Sequence, residues 1–396
     1  MDEAREISKK VLRFLMALGA MFALPYIGAY IHNGDGFPKL LFRYPARIPL
    51  HKLGYNPYVF WIIAVIFLAV ILLYIFPQIF GFKKPAPAPV EKKNKVKLPI
   101  WFWTGSVIWS VSLFLLWGKF DSITWFLKFV DIALWWSFAM MIDGWVYVRS
   151  GGVSLIGTRP RELAGIAVAS VLGWMVFEYF NFFVHRNWYY PISYQLPRAE
   201  FLCYSMIAST AVFPISFEFY SLFNTFGNFK NKYSQGFKIV LPNWLKLSVL
   251  GLCLVVMFLI NFHPDKLFLA VWFAPLLIFA ILLDRMKIWT PFTEVKNGNW
   301  SPLMLIALSW VAAGLCVECW NYFSAVHPVG LPPTSNNTLY WRYSVPYVNV
   351  AHLFEMPILG YLGYLPYGVY AGIWWITFAY MLNIPTQFSE KGHKNV

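Results

Sequence analysis

The chain has 396 residues, of which 59% are hydrophobic, 20% aromatic and only 13% charged. Globular proteins carry about 25% charged residues, so this composition excludes an ordinary cytosolic enzyme, a disordered chain and a disulfide scaffold. The net charge of +14 comes without a basic stripe or a nucleic-acid-binding motif, which argues against a nucleic-acid partner. The sequence predicts an integral membrane protein whose main partner is the lipid bilayer.

Ten apolar segments are candidates to cross a bilayer, whose core of about 30 Å needs around 20 residues of helix. They predict an all-α polytopic protein with about ten transmembrane helices. We expect the N-terminal segment to be a membrane span and not a cleaved signal peptide, because Asp2, Glu3 and Glu6 precede it and no small-residue cleavage site follows it. The ten segments are 12–31, 58–81, 99–118, 124–148, 162–185, 199–226, 243–262, 267–284, 302–325 and 347–383.

The basic residues predict an orientation. If the N-terminus is inside, the inside segments carry 21 Lys and Arg and the outside loops carry 9. Cytoplasmic loops are enriched in these residues, and anionic lipid headgroups attract them. The pattern therefore predicts a plasma-membrane protein with both termini cytoplasmic.

A basic Pro/Ala linker divides the chain. The predicted units are an N-terminal two-span unit (1–82), the linker (83–98), a first four-span repeat (99–230), a second (231–385) and a polar tail (386–396). Both repeats hold an even number of spans, so they have the same orientation. This predicts a parallel repeat about an axis along the membrane normal.

Four features recur in order and support the duplication. Asp143 corresponds to Asp284, and the block Glu178-x-x-Asn181 corresponds to Glu318-x-x-Asn321, 140 residues later. Two aromatic motifs follow these blocks, Trp188-Tyr-Tyr190 and Trp341-Arg-Tyr343, and then two prolines, Pro214 and Pro366.

Acidic residues lie within the predicted spans, whereas basic residues are nearly excluded from them. An ionisable group in a bilayer costs at least about 2.5–3.5 kcal/mol, so these acids must be protonated, hydrogen-bonded, hydrated or bound to a cation. The sequence therefore predicts an acidic interior. The seven acids are Asp131, Asp143, Glu178, Glu218, Asp284, Glu318 and Glu355.

Three of these acids are the candidate catalytic residues: Glu178, Glu318 and Glu355. Topology places all three near the outer leaflet, where we expect them to converge. Asn181 and Asn321 share a helix face with the glutamates three residues before them. The alternative for these blocks is an interhelical hydrogen bond that only joins the repeats.

Further residues could support such a site. His352 precedes Glu355 by three residues in the last predicted span, and His185 follows the first block. The remaining candidate binding or supporting residues are Trp188, Trp341, Tyr343 and, in span six, Glu218. The alternative for the aromatic residues is an interfacial anchor, which is their usual role at a membrane surface. No metal site and no cofactor are predicted.

Part of the sequence resembles the lycopene cyclase-type carotenoid membrane enzymes. The resemblance lies in three motifs: Glu178-x-x-Asn181, Trp188-x-Tyr190, and Phe213-Pro214-Ile215 followed by Glu218. The resemblance covers about 143–226 and is weaker over 284–383. The family has a P-x-E-E cluster, whereas Pro214 here is followed by Ile-Ser-Phe-Glu, and Tyr370 replaces Glu218 in the second repeat. The resemblance implies acid-catalysed chemistry on an isoprenoid.

Three classes of function fit these features. A membrane protein could bind or process a lipid or isoprenoid with a glutamate as general acid, and aromatic faces could stabilise a cation. A proton- or cation-coupled transporter would use the same acids as carriers. A membrane subunit of a respiratory or quinone-linked assembly would use them as a proton relay. We favour the hydrophobic-ligand class, and whether the chain is an enzyme stays open.

Overall fold

The computed structural model describes residues 2–33, 43–50, 54–85 and 94–389. Part of the predicted linker (86–93) and of the predicted tail (390–396) lies outside these residues. The helices are α1 (Asp2–Asn33), α2 (Pro57–Ile75), α3 (Ile100–Gly118), α4 (Thr124–Leu127), α5 (Val130–Arg149), α6 (Leu155–Thr158), α7 (Pro160–Asn181), α8 (Arg198–Ser209), α9 (Val212–Asn224), α10 (Gly227–Asn231), α11 (Asn243–Leu259), α12 (Ala270–Arg285), α13 (Pro291–Val295), α14 (Ser301–Phe323) and α15 (Tyr364–Leu382). The strands have two residues each: β1 (Trp188–Tyr189), β2 (Ala325–Val326), β3 (Thr334–Ser335), β4 (Arg342–Tyr343), β5 (His352–Leu353) and β6 (Met356–Pro357).

The fold is helical and of the membrane type. Six helical stretches in the described part of the chain are long and apolar enough to cross a membrane, fewer than the ten predicted spans. Among the other predicted spans, α11 is apolar but has only 17 residues, and α12 has 16. The six stretches are Lys9–Asn33, Pro57–Ile75, Ile100–Gly118, Pro160–Asn181, Arg198–Asn224 and Ser301–Phe323.

The last predicted span, 347–383, is wrong in its first half. Only α15 is an α-helix, and residues 347–357 form a loop that contains the hairpin of β5 and β6. Tyr347, Ala351 and Phe354 have positive φ, which L-residues adopt in turns and not in helices. Glu355 and His352 therefore lie in this loop and not on a helix face.

Proline marks the start of a helix in both halves. The segment predicted as span six is divided into α8 and α9, and Pro214 is the third residue of α9. Pro366 is likewise the third residue of α15. Proline is tolerated in the first turn because the first N–H groups of a helix have no intrahelical partner.

Eight of the helices that follow the linker pack in a repeated pattern. α5 packs against α3 and α9, and α7 packs against α9. In the same order, α12 packs against α11 and α15, and α14 packs against α15. The two sets meet through α9 with α14 and through α7 with α15, which places a crossed contact between the halves at the centre of the bundle.

The two N-terminal helices are peripheral. α1 packs against α11 and α12, with Gly28 at the closest crossing: a Cβ there would lie 2.0 Å from the carbonyl oxygen of Phe258. None of the side chains of α2 is buried. α2 is attached at its ends, where the Asn56 N–H donates to the Tyr347 carbonyl (3.1 Å) and the Tyr74 hydroxyl donates to the Met304 carbonyl (3.0 Å).

Connecting segments form an ordered layer at each end of the bundle. All six strands lie at one end, which we call the strand end. There, the Tyr190 N–H donates to the Ala46 carbonyl, 2.7 Å away. At the opposite end, the linker end, the Phe82 ring packs edge-on against Tyr233 and Trp300.

Candidate functional site

Glu178 lies in the last turns of α7 and is bound by the segment that follows the helix. It is 3% exposed. Its Oε1 accepts hydrogen bonds from the Trp188 indole N–H (3.0 Å) and the Tyr190 hydroxyl (2.5 Å). Trp188 and Tyr190 are two positions apart in an extended segment, so their side chains share one face. This spacing explains the W-x-Y motif.

Asn181 holds this segment in place. Its side-chain amide donates to the Trp188 carbonyl (2.8 Å), and its Oδ1 accepts from the Trp188 N–H (3.4 Å). The chain reverses between Asn181 and Trp188 through His185 and Arg186, which both have positive φ. The asparagine thus substitutes for a strand partner and fixes the indole over the carboxyl group.

The second half repeats this arrangement on α14. Oε1 of Glu318, which is fully buried, accepts from the Trp341 indole N–H (3.1 Å) and the Tyr343 hydroxyl (2.6 Å). Asn321 donates to the Trp341 carbonyl (2.9 Å) and accepts from its N–H (3.1 Å).

The second site has an additional donor, which sequence reasoning missed. The Tyr364 hydroxyl, in the first turn of α15, donates to Oε1 of Glu318 at 2.6 Å. The only sequence signal for it was a run of tyrosines around Pro366. The remaining oxygen of each carboxyl, Oε2 of Glu178 and of Glu318, is buried and accepts no hydrogen bond from the described residues.

A strand pair joins the two sites. β1 and β4 are antiparallel, with Trp188 opposite Tyr343 and Tyr189 opposite Arg342. Side chains alternate between the faces of a strand, so Tyr189 and Arg342 point away from the carboxyl sites. The structure brings the two E-x-x-N blocks and the two W-x-Y motifs into one layer at the strand end.

Glu355 belongs to a separate cluster beyond this layer. Oε1 of Glu355 accepts from His327 Nε2 (2.6 Å) and from the Tyr340 hydroxyl, and Oε2 accepts from Arg342 Nε (3.1 Å). Arg342 and His327 are 39% and 30% exposed, so this cluster reaches the surface. We expected Glu355 to share a site with Glu178 and Glu318, whereas its hydrogen-bonding partners are different residues.

Three other candidates lie apart from the carboxyl sites. His352 lies in β5 with its side chain exposed, and its Nε2 is 3.3 Å from Oδ1 of Asn349. Partial burial lowers the pKa of His352, and the nearby Glu355 carboxyl group raises it by a smaller amount. His185 lies in the turn after α7, where its carbonyl accepts from the Leu50 N–H. Glu218, on α9, is buried with Asp143 and Arg159 as charged neighbours.

The two repeated aspartates near the linker end have structural partners. Asp143 accepts from the Trp101 indole N–H (2.8 Å), the Ser154 hydroxyl (2.9 Å) and the Ile156 N–H (2.8 Å). Asp284 forms ion pairs with Lys246 and Lys296. These contacts join the ends of α5 and α12 to the preceding helices, through Trp101 on α3 and Lys246 on α11, and to the segments that follow.

A large cavity lies directly beneath the strand layer. Its volume is about 590 Å³, and its walls come from α2, α5, α7, α8, α9, α12, α13, α14 and α15 together with the strand segments. Trp188, Tyr190, Tyr343 and Tyr364 line it, so Glu178 and Glu318 lie immediately behind wall residues. The walls are otherwise almost entirely apolar, and they include six tryptophans: Trp135, Trp174, Trp188, Trp272, Trp310 and Trp341.

Comparison with family models, with curated proteins and with solved structures gave no significant match.

Proposed function

We propose that this chain binds a hydrophobic molecule of the lipid or isoprenoid class inside the membrane, in the cavity between its two halves. The observation that carries the proposal is the cavity itself, about 590 Å³ of apolar space with the two carboxyl sites behind one end. Small-molecule sites in proteins are typically apolar cavities of about 300–1,000 Å³ with a few placed polar groups.

The chemistry of the walls supports a hydrophobic occupant. Apolar cavities hold apolar ligands in preference to water, because water needs two to four polar partners. A void of this size left empty would also deprive its lining of dispersion contacts. An apolar ligand of matching shape restores those contacts.

The proposed architecture has ten membrane traverses, arranged as an N-terminal two-helix unit and two parallel four-helix repeats. The repeated packing of eight of the helices after the linker and the matching Glu–Asn–Trp–Tyr arrangements support the repeat. We further propose that the strand end faces outward from the plasma membrane and that both termini are cytoplasmic. The charge distribution supports this orientation.

General acid chemistry on the ligand extends the same proposal, as the resemblance to lycopene cyclase-type enzymes implies. Glu178 and Glu318 are one hydrogen bond away from the cavity, through Tyr190, Tyr343 and Tyr364. A proton would reach the ligand by relay through these hydroxyl groups: the protonated carboxyl group gives its hydrogen to a tyrosine oxygen, and that tyrosine gives its own hydrogen to the ligand. The walls would exclude water from any cationic intermediate, and the tryptophan faces would stabilise it.

Purification from native membranes followed by solvent extraction and mass spectrometry tests the proposal. We expect a hydrophobic compound at near-stoichiometric amounts. Ala307→Phe should reduce it severalfold because Ala307 lines the cavity, whereas the control Val168→Phe, on the lipid-facing side of α7, should not. Extracts that match bulk membrane lipid for all three proteins would contradict the proposal.

Two other outcomes would favour the alternative functions. Stoichiometric co-purifying subunits with no bound compound would favour a membrane subunit of a larger assembly. Proton flux in liposomes that is lost in Glu318→Gln would favour a coupled transporter, and we expect no such flux.

A further inference from the structure

We infer that the ligand is an elongated amphiphile with a hydrogen-bond-donating head, such as a long-chain alcohol, and that this head lies at the strand end. The inference rests on the proposed function, since it concerns the ligand of the same cavity. Three observations carry it: the length of the cavity, the distribution of its polar groups and the hydrogen bonds that those groups already make.

The cavity is long. Its wall on α14 extends from Leu303 to Val317, which at 1.5 Å per residue is about 21 Å. Its wall on α2 extends from Ile63 to Tyr74, or about 16 Å on the same basis. Because both helices cross the bundle from end to end, a ligand that fills the cavity lies parallel to them.

The two ends of the cavity differ in polarity. At the strand end the walls include Tyr190, Tyr343 and Tyr364, with a buried carboxyl group behind them. At the other end the walls include Leu73, Leu303 and Phe292, and the Tyr74 hydroxyl there donates to the Met304 carbonyl. A molecule with a polar head and an apolar tail is therefore accommodated in one direction only.

Beside the carboxyl groups the cavity has few hydrogen atoms left to donate. One donor remains one turn farther along α15, where the buried Tyr367 hydroxyl lines the cavity and has no hydrogen-bond partner among the described residues. Each tyrosine hydroxyl has one hydrogen, and those of Tyr190, Tyr343 and Tyr364 are directed to glutamate oxygens. The indole N–H groups of Trp188 and Trp341 are directed to the same two carboxyl groups. The tyrosine oxygens keep lone pairs that can accept. A hydroxyl head can accept from Tyr367 and also donate to one of these oxygens, whereas an ester, ether or carboxylate head can only accept.

A comparison of three probes with the same chain tests this inference: hexadecan-1-ol, its methyl ether and hexadecanoic acid. The purified full-length protein is titrated in detergent, and tryptophan fluorescence reports binding. We expect the alcohol to bind about fivefold to tenfold more tightly than the ether, the effect of one hydrogen bond, and the acid to bind most weakly.

Two variants locate the head. Tyr190→Phe, Tyr343→Phe and Tyr364→Phe in one protein should lower the affinity for the alcohol to that for the ether, and continued binding of the ether shows that the cavity is intact. Tyr194→Phe is the control, because Tyr194 is 64% exposed and does not line the cavity. It should keep the preference.

The outcomes separate the two proposals. Equal binding of alcohol and ether, tighter binding of the acid, or a preference that survives the triple substitution would overturn the inference about the head and leave the proposed function standing. Failure of all three probes to bind, with no compound extracted from the native protein, would refute both.

Discussion

Each carboxyl site combines one glutamate, one asparagine, one indole and at least one tyrosine, and each member has a distinct role. A buried carboxyl group is costly unless hydrogen bonds satisfy it, and here the Trp and Tyr donors satisfy one oxygen of each glutamate, Oε1, without a basic residue. The asparagine does not touch the glutamate. It binds the backbone of Trp188 or Trp341 and thereby sets the position of the donors.

Replacing either asparagine by alanine should lower the free energy of unfolding, and the loss should be larger for Asn321 than for Asn181. Asn321→Ala removes two bonds to Trp341 (2.9 and 3.1 Å) and leaves buried backbone groups unpaired. Such groups cost about 1–3 kcal/mol each, so we expect a loss of about 2–4 kcal/mol in the free energy of unfolding in detergent. Asn181→Ala should cost less, since one of its bonds is longer, at 3.4 Å.

The exposed Asn297 provides the control for this measurement. Asn297→Ala should change the free energy of unfolding by less than about 0.5 kcal/mol. If Asn321→Ala lowered the free energy of unfolding no more than this control, other contacts would hold the strand segment and the proposed role of the asparagine would be wrong.

At the scale of helices, glycine sets the closest approaches. Gly28 on α1 faces the Phe258 carbonyl of α11, and Gly368 on α15 faces the Ile306 carbonyl of α14, where a Cβ would lie 2.5 Å away. Small residues allow such approaches in membrane helices, where association depends on packing and hydrogen bonding.

Gly28→Ala should therefore separate α1 from α11. A Cβ only 2.0 Å from a carbonyl oxygen forces the helices apart, and overpacking of this kind costs about 1–3 kcal/mol. Gly19→Ala on the same helix is the matched control, because nothing lies within 4 Å of a Cβ there. That variant should be neutral or stabilising by up to about 1 kcal/mol. Equal melting temperatures for the two variants would contradict the crossing.

Sequence patterns predicted the helical segments better than the segments between them. The apolar stretches through 325 coincide with helices, because about 20 apolar residues have few alternatives to a helix in a bilayer. The stretch 347–363 is also largely apolar, yet residues 347–357 form a loop with the short β5–β6 hairpin, and Ile358–Gly363 forms a 3₁₀-helix. Composition does not distinguish a spanning helix from an apolar loop buried against aromatic side chains.

The same limit applies to the candidate site. The E-x-x-N and W-x-Y motifs were visible because both occur twice, and Glu178 and Glu318 do occupy matching positions. That Trp188 and Trp341 bind these glutamates was not predictable, since it depends on how the chain reverses after each helix. Tyr364 and the cavity walls on α2 come from distant parts of the sequence, and no local pattern indicates them.

At the scale of the whole molecule, the two ends differ in what they contain. The strand end holds the carboxyl sites, the strand layer and the Glu355 cluster. The linker end holds the ion pairs of Asp284 with Lys246 and Lys296 and most of the basic loops. Because the two ends differ in this way, a ligand whose head lies at the strand end, as we propose, is close to only one of the two membrane surfaces.

Cysteine labelling in intact cells tests the orientation. In a variant without the four native cysteines, Tyr194→Cys lies at the strand end and Lys238→Cys at the linker end, and both positions are exposed. Because 21 of the basic residues fall in segments predicted to be inside, an impermeant maleimide should label Tyr194→Cys in intact cells and Lys238→Cys only after permeabilisation. The reverse pattern would place the carboxyl sites at the cytoplasmic surface, and labelling of both in intact cells would contradict the proposed alternation of traverses.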